Sequence, residues 1–439
     1  MKTLRWSDLS ADERRAALAR PPQRSAPELQ EAVHEIAEEV RAGGWDALCR
    51  IAERLDGEAP RLVRVAPVAA EARKSLAADV IAAMELAAGN IRRFHEASRP
   101  SDTSVETFPG LNVRKVWRPI DRVGLYVPGG KTPLFSTLLM LAIPAQAAGV
   151  RELVVVTPPQ PGGGLDPAIA LAAELCGIEA VWTVGGAQAA AALAFGAGDI
   201  PQVSKICGPG NAWVAEAKTL VSSLPGGPAI DMPAGPSELM VIADDSADPA
   251  MVAADLLSQA EHDAAAQVLL ACTTEQLANA VTTELQRQIA SLPRHDLAQQ
   301  ALNNGTILIA RDLAEAAAIA NLYAPEHLCL AVEDAEALVP AIRNAGAVFA
   351  GHAAAETFGD YLAGSSHVLP TDGAARAWGG VSVYTFLRAM SVQSVSREAG
   401  RALAAPAAAL ARLEGLEALR RGHDQAGRQR EPLPAFVRR

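Results

Sequence analysis

The chain has 439 residues, 39 lysines and arginines against 50 aspartates and glutamates, a formal charge of −11, and 50% apolar residues. At roughly 100–200 residues per domain this is two to four domains, with ample material for a core. The acidic balance excludes a protein whose main work is gripping nucleic-acid phosphates or anionic lipid, because that needs clustered Lys and Arg.

Such a cluster occurs only at the end, in Arg420, Arg421, Arg428, Arg430, Arg438 and Arg439. The first residues lack an apolar leader core, and no run approaches the roughly 18 apolar residues that span a bilayer. A soluble, cytoplasmic protein that binds neither nucleic acid nor membrane is expected. The cysteines, Cys49, Cys176, Cys207, Cys272 and Cys329, are far apart and odd in number, which fits buried thiols better than a disulfide framework.

In chain order, Leu29, Val33, Ile36 and Val40 recur at helical steps, and Ala78 to Phe94 repeats the pattern, so the N-terminal third reads as helical. Val113–Trp117 and Val123–Val127 read as strands feeding the turn Pro128-Gly129-Gly130, with a helix over Leu134–Gly149. Regular alternation follows: strand 152–157, helix 167–176, strand 180–184 and helix 188–195. After Pro236 it resumes with strand 239–243, helix 248–261, strand 267–271, helix 274–290 and strand 306–309. Continuous apolar strands alternating with helices imply parallel sheets covered on both faces. Two α/β lobes joined near 230–240 are expected, with ligands at the carboxyl ends of their strands.

Three glycine turns are phosphate-compatible: Pro161–Gly164, Val184-Gly185-Gly186 and Gly208-Pro209-Gly210. Alone, each is a weak signal. His34, His95 and His295 sit among charged residues and read as surface or packing residues. Gln259 and His262 stand at i and i+3 at the end of an apolar helix, hence on one face and able to converge on one ion; a helix-terminal histidine facing the dipole is the plain alternative. Glu326 and His327 follow a proline turn and offer two proton acceptors of different basicity, which suits two deprotonations. Asp360 and His367 lie in a glycine-bounded segment. Imidazole, carboxylate and amide oxygen form a donor set for Zn²⁺ or Mn²⁺, with positions left open for substrate or water. The HExxH spacing of zinc proteases is absent.

In this order along the chain, Gly124–Gly130, Val184–Ala189, Gly208–Asn211, Asp231–Glu238, Ser258–His262, Pro325–Leu328 and Gly359–Thr371 together resemble histidinol dehydrogenase. The resemblance implies two Rossmann-like parallel-sheet lobes with small helical N- and C-terminal domains. It divides the chain into a dimerisation segment (1–22), a substrate and zinc lobe (23–127 plus 237–381), an NAD-binding lobe (128–236) and a C-terminal helical domain with a basic tail (382–439). It implies a cytoplasmic homodimer with exchanged terminal domains that oxidises L-histidinol through histidinal to L-histidine with two NAD⁺ and one Zn²⁺ per subunit. By the same resemblance Gln259, His262 and Asp360 hold zinc, Glu326 and His327 are the bases, and Tyr126, Gln188 and Asn211 contact NAD. Ser237, Gln259, His262, His327, Asp360 and Glu414 bind substrate.

One position departs from the family pattern. Leu419 stands where a zinc-binding histidine is expected, and leucine binds no metal. The next histidine, His423, is four residues on, about 6 Å along a helix. After Ala418 helical periodicity is lost, as a shifted reading frame would cause. The alternatives are a paralogue acting on another amino or sulfo alcohol, thiol chemistry on Cys207, and a homologue that has lost its metal through Leu419.

Overall fold

Strands form where β-branched and aliphatic runs fall between turns, and helices start where a short polar side chain caps them. In the computed structural model, residues 1–20, 27–129, 133–232 and 235–416 are described. The terminal arginines, Leu419 and His423 lie outside them. Asp166, Asp248 and Asp312 each accept backbone N–H bonds at a helix start, the first two followed by proline, the combination that satisfies orphan donors and presets φ.

One compact unit comprises Met1–Arg99 and Ile120–Phe386. It holds two six-stranded sheets. In the first sheet the spatial order is Lys2–Arg5, Thr306–Ile309, Gln267–Cys272, Glu238–Ala243, His327–Ala331, Ala347–Ala350, all parallel. In the second it is Arg61–Arg64, Ala180–Thr183, Glu152–Thr157, Arg122–Tyr126, Lys205–Cys207, Ala229–Ile230, parallel except for the Arg61–Arg64 edge. The central strands are buried throughout, with Leu239–Ala243 and Val268–Cys272 wholly inaccessible, as parallel sheets covered on both faces require.

The two α/β lobes are thus as expected; the strand Ala229–Ile230 closes the second sheet and Glu238 resumes the first, but the sheets divide the chain elsewhere than at 127. Arg61–Arg64 and Arg122–Tyr126 pair within the second sheet, and the helices Pro27–Leu55, Val65–Ser75 and Ala78–Ala97 pack on that sheet's helices. Residues 27–99 and 120–127 therefore build the lobe of 152–230, not that of 238–350. Lys2–Arg5, expected in a dimerisation segment, is an edge strand of the first sheet. Of the histidines read as surface or packing, His34 and His295 are exposed and His95 is buried.

The second unit contains, among the described residues, Pro100–Pro119 and residues 387–416. Leu111–Pro119 pairs antiparallel with Leu387–Val395 on one side and Thr103–Phe108 on the other. Val113–Trp117, expected to lead into the first lobe, belongs here. The helix Arg397–Leu413, capped by Ser396, follows.

Candidate active site

A cavity of about 170 Å³ lies in the first unit, lined by Ser237, Gln259, His262, Glu326, His327 and Asp360 among others. Six residues singled out from separate motifs therefore meet. They do so at the amino edge of the first sheet, not at the carboxyl edge expected. Glu238 and His327 open their strands, and Gln259 and His262 end the helix Pro249–Ala260 that precedes the strand Gln267–Cys272. The opposite wall is Gly208, Lys218 and Asp231, from the carboxyl edge of the second sheet, so the usual rule holds for that sheet alone. The C-terminal end of the Pro249–Ala260 helix, where partial negative charge gathers, faces a site suited to a cation.

His327 is buried, and its Nδ1 lies 3.2 Å from the carbonyl oxygen of Glu238. A carbonyl only accepts, so Nδ1 carries the proton and Nε2 keeps its lone pair. Nε2 lies 4.0 Å from Asp360 Oδ1. Burial lowers the imidazole's pKa to about 4, so the ring is neutral near pH 7. Glu326 is equally buried; its Oε2 accepts the Glu238 N–H at 2.9 Å. Burial, then the nearby Glu238, Glu356 and Asp360 carboxylates, push Glu326 well above the usual carboxylate range. The backbone of one residue, Glu238, thus orients both members of the pair.

Sequence reasoning missed Glu356. It stands four residues before Asp360 on the short helix Glu356–Tyr361, and that i, i+4 spacing was the available signal. Burial, with Asp360 beside it, pushes its carboxyl up to about 8. Donor atoms of His327, Glu356 and Asp360 lie within 4.8 Å of one another. Gln259 is 1% exposed and its Oε1 has no hydrogen-bond partner, whereas a buried amide oxygen is ordinarily satisfied. His262 is exposed on the cavity wall. His367 spans the two lobes: Nδ1 meets the Asp360 carbonyl at 3.0 Å, and Nε2 meets Thr137 Oγ1 at 3.2 Å.

The residues expected to contact NAD do not line this cavity. Tyr126, buried at the end of its strand, accepts the Gly186 N–H through its hydroxyl at 3.2 Å, and burial pushes that hydroxyl up to about 12. Gln188 donates through Nε2 to Asp56 Oδ2 at 3.0 Å, and Gly185 N–H bonds the same oxygen at 3.3 Å. The helix start at Gly186, one of the phosphate-compatible turns, thus already holds the carboxylate of Asp56. Asn211 is the exposed N-cap of the helix Ala212–Ser223. Glu414 lies in the other unit, exposed, at the end of the helix Arg397–Leu413. Cys207 is fully buried, and burial pushes its thiol up, the reverse of what a thiolate nucleophile needs.

Two α/β lobes meeting at a buried imidazole and carboxylates, with an unsatisfied amide oxygen beside them, define an α/β enzyme with an acid–base site. The histidinol dehydrogenase family model matches residues 19–430. Histidinol dehydrogenase of Xanthomonas campestris is 48% identical over 419 residues, covering 95% of this chain and 97% of that one, and the Vibrio parahaemolyticus enzyme is 43% identical over 422 residues, covering 96% and 97%. The crystal structure of histidinol dehydrogenase from Elizabethkingia anophelis superposes with a TM-score of 0.92 at 38% identity, covering 97% of this chain and 98% of that one. The chain belongs to the histidinol dehydrogenase family.

Proposed function

We propose that the protein oxidises L-histidinol to L-histidine through histidinal, using two NAD⁺, one water and one bound Zn²⁺ per subunit, as a step of histidine biosynthesis. The observation that carries this reading is the backbone of Glu238, whose N–H holds Glu326 and whose carbonyl holds His327, so that the two side chains are oriented side by side. Two acceptors of different basicity suit two unlike proton transfers in one site.

The residues present fit a metal. Gln259 contributes a buried amide oxygen with no internal partner, and His262 and Asp360 share its cavity. We favour this trio over His327, Glu356 and Asp360. His327 Nε2 is needed as a base, and Glu356 already accepts the Ser258 hydroxyl, whereas Gln259 Oε1 has no partner. Bound zinc would supply a template for the amine and imidazole of the substrate.

The protein's own groups do the following. His327 Nε2 takes the hydroxyl proton of the alcohol as a hydride passes to the first NAD⁺, leaving the aldehyde. Glu326 takes a proton from water as its oxygen bonds to the aldehyde carbon, giving the hydrate. A second hydride then leaves that carbon for NAD⁺ as the hydrate gives up its two hydroxyl protons, and a carboxylate results. In sum, alcohol, water and two NAD⁺ give carboxylate, two NADH and three protons. Ser237 and Glu414 would help bind substrate, and Tyr126, Gln188 and Asn211 would contact the dinucleotide; for the first two of these, their present bonds to Gly186 and Asp56 would have to be exchanged.

The test is the yield of NADH from purified enzyme with limiting L-histidinol, before and after chelation and zinc return. Two NADH per substrate, lost on chelation and regained with zinc, is expected. A yield of one, or turnover indifferent to chelation, overturns the reading.

A further inference from the structure

Among the described residues only Ala324 and Asp372 are non-glycines with positive φ, at 56° and 54°. An L-residue adopts this conformation only when its surroundings impose it, and such positions gather at functional sites. Both touch one ion pair. Arg20 meets Glu238 through Nε to Oε1 at 2.5 Å and Nη2 to Oε2 at 2.7 Å, with side-chain exposures of 12% and 2%. Arg20 Nη2 also donates to the carbonyls of Tyr323 (3.0 Å) and Ala324 (3.3 Å), while Glu238 Oε1 accepts the Asp372 N–H at 2.8 Å. The guanidinium lies 4.0 Å from the centre of the Tyr323 ring. The Tyr323 hydroxyl donates to Gln267, which donates to the Ala19 carbonyl. The ring of contacts closes on the residue before Arg20.

We propose that Arg20 is a positioning residue for the acid–base pair. It acts through Glu238: the forked ion pair anchors the side chain of the residue whose backbone N–H holds Glu326 and whose backbone carbonyl fixes the proton of His327 on Nδ1. The fork matters because a planar guanidinium sets the carboxylate's plane, which a point charge does not. A buried ion pair is weak evidence for stability alone. Its placement behind the two bases, with strained backbone on either side, favours orientation as its use. The consequence for the bases rests on the function proposed above.

The experiment compares wild type with Arg20→Ala, Arg20→Lys and Glu238→Gln in the zinc-loaded enzyme, by steady-state kinetics and by ¹⁵N chemical shifts of the His327 ring. Loss of an orienting partner ordinarily costs about 10–100-fold in activity. That loss is expected in kcat for all three variants, with KM for L-histidinol and NAD⁺ within about threefold, Arg20→Lys failing to rescue, and the His327 ring changing from Nδ1–H to a tautomer mixture. Guanidinium ion added to Arg20→Ala should restore part of kcat. Should Arg20→Ala not fold, Glu238→Gln, which keeps size and an acceptor for Asp372, decides. An unchanged tautomer, or a rise in KM equal to the fall in kcat, overturns the proposal. Inert wild type refutes the functional reading instead, and the ring tautomer still decides the role of Arg20.

Discussion

Gln259 keeps an amide oxygen in the protein interior with nothing to bond it. Such an atom costs about 1–3 kcal/mol unless a ligand satisfies it. Gln259→Ala should therefore weaken zinc binding about 10–100-fold while leaving the metal-free protein as stable as before or more so; competition with a chelator and thermal unfolding measure the two. Cys207→Ala should keep full activity. His95, buried on the helix Ala78–Ala97, gives a pH effect of definite sign. Burial lowers its pKa to about 4 from 6.5, so the unfolded chain takes up a proton between those values that the folded chain refuses. Its contribution is unchanged above pH 7 and is lost as pH falls through about 6.5 to 4. Between pH 7 and 4.5 the wild type should lose on the order of 2 kcal/mol more than His95→Leu in urea titrations. At this scale the sequence was partly legible. Spacing and adjacency exposed Gln259, His262, Glu326 and His327. Arg20 and Glu238 were invisible as a pair because they stand 218 residues apart, and no local pattern announces a long-range ion pair.

The elements themselves were the most readable part. The helix expected at 134–149 is Phe135–Ala148, ended by Gly149 at φ 91°, and the strands at 152–157 and 306–309 fall where their β-branched runs place them. What misled was partnership. Arg61–Arg64 is a polar edge strand inside a helical region, and Leu111–Pro119 takes its partner from Leu387–Val395; pairing over that distance leaves no trace in periodicity. The direction of the site was misread for a related reason. A helix delivers its last turn to the start of the next strand, so Gln259 and His262 had to meet Glu326 and His327 at an amino edge. The opposing edge is held by Lys218, whose Nζ lies 2.5 Å from Asp231 Oδ1 and 2.7 Å from the Gly208 carbonyl, both ion-pair partners being almost wholly buried. Asp231 returns a bond to Gly208 N–H at 2.7 Å. Lys218→Met strands a buried carboxylate and should cost about 3–5 kcal/mol in urea unfolding, while Lys218→Met with Asp231→Leu should recover much of it. Gly208→Ala is expected to be worse tolerated than most glycine changes, since φ is 125° and a Cβ would collide with the Tyr126 carbonyl.

At the scale of the whole molecule, the second unit exposes Val105, Phe108, Met390, Val395, Leu410 and Leu413, and every residue of the edge strand Thr103–Phe108. Unpaired edges and apolar side chains of this kind are ordinarily covered by a partner. A homodimer follows as the expected state, and light scattering should give about twice the 45.7 kDa chain mass; a monomer at micromolar concentration would refute it.

The first strand has one more consequence, in time rather than space. Lys2 pairs with Thr306, so this strand waits for one made roughly 300 residues later, about 15–60 s at ordinary rates of synthesis. Closing so long a loop also makes this pairing slow on release from the ribosome. Arg20 follows that strand after the helix Ala11–Ala17, and Glu238, Glu326 and His327 all stand far downstream, so the acid–base pair is set only after distant parts of the chain have met. A growing chain that has not yet passed residue 309 holds most of a hydrophobic core together with Gln259 and His262, but neither base nor Asp360.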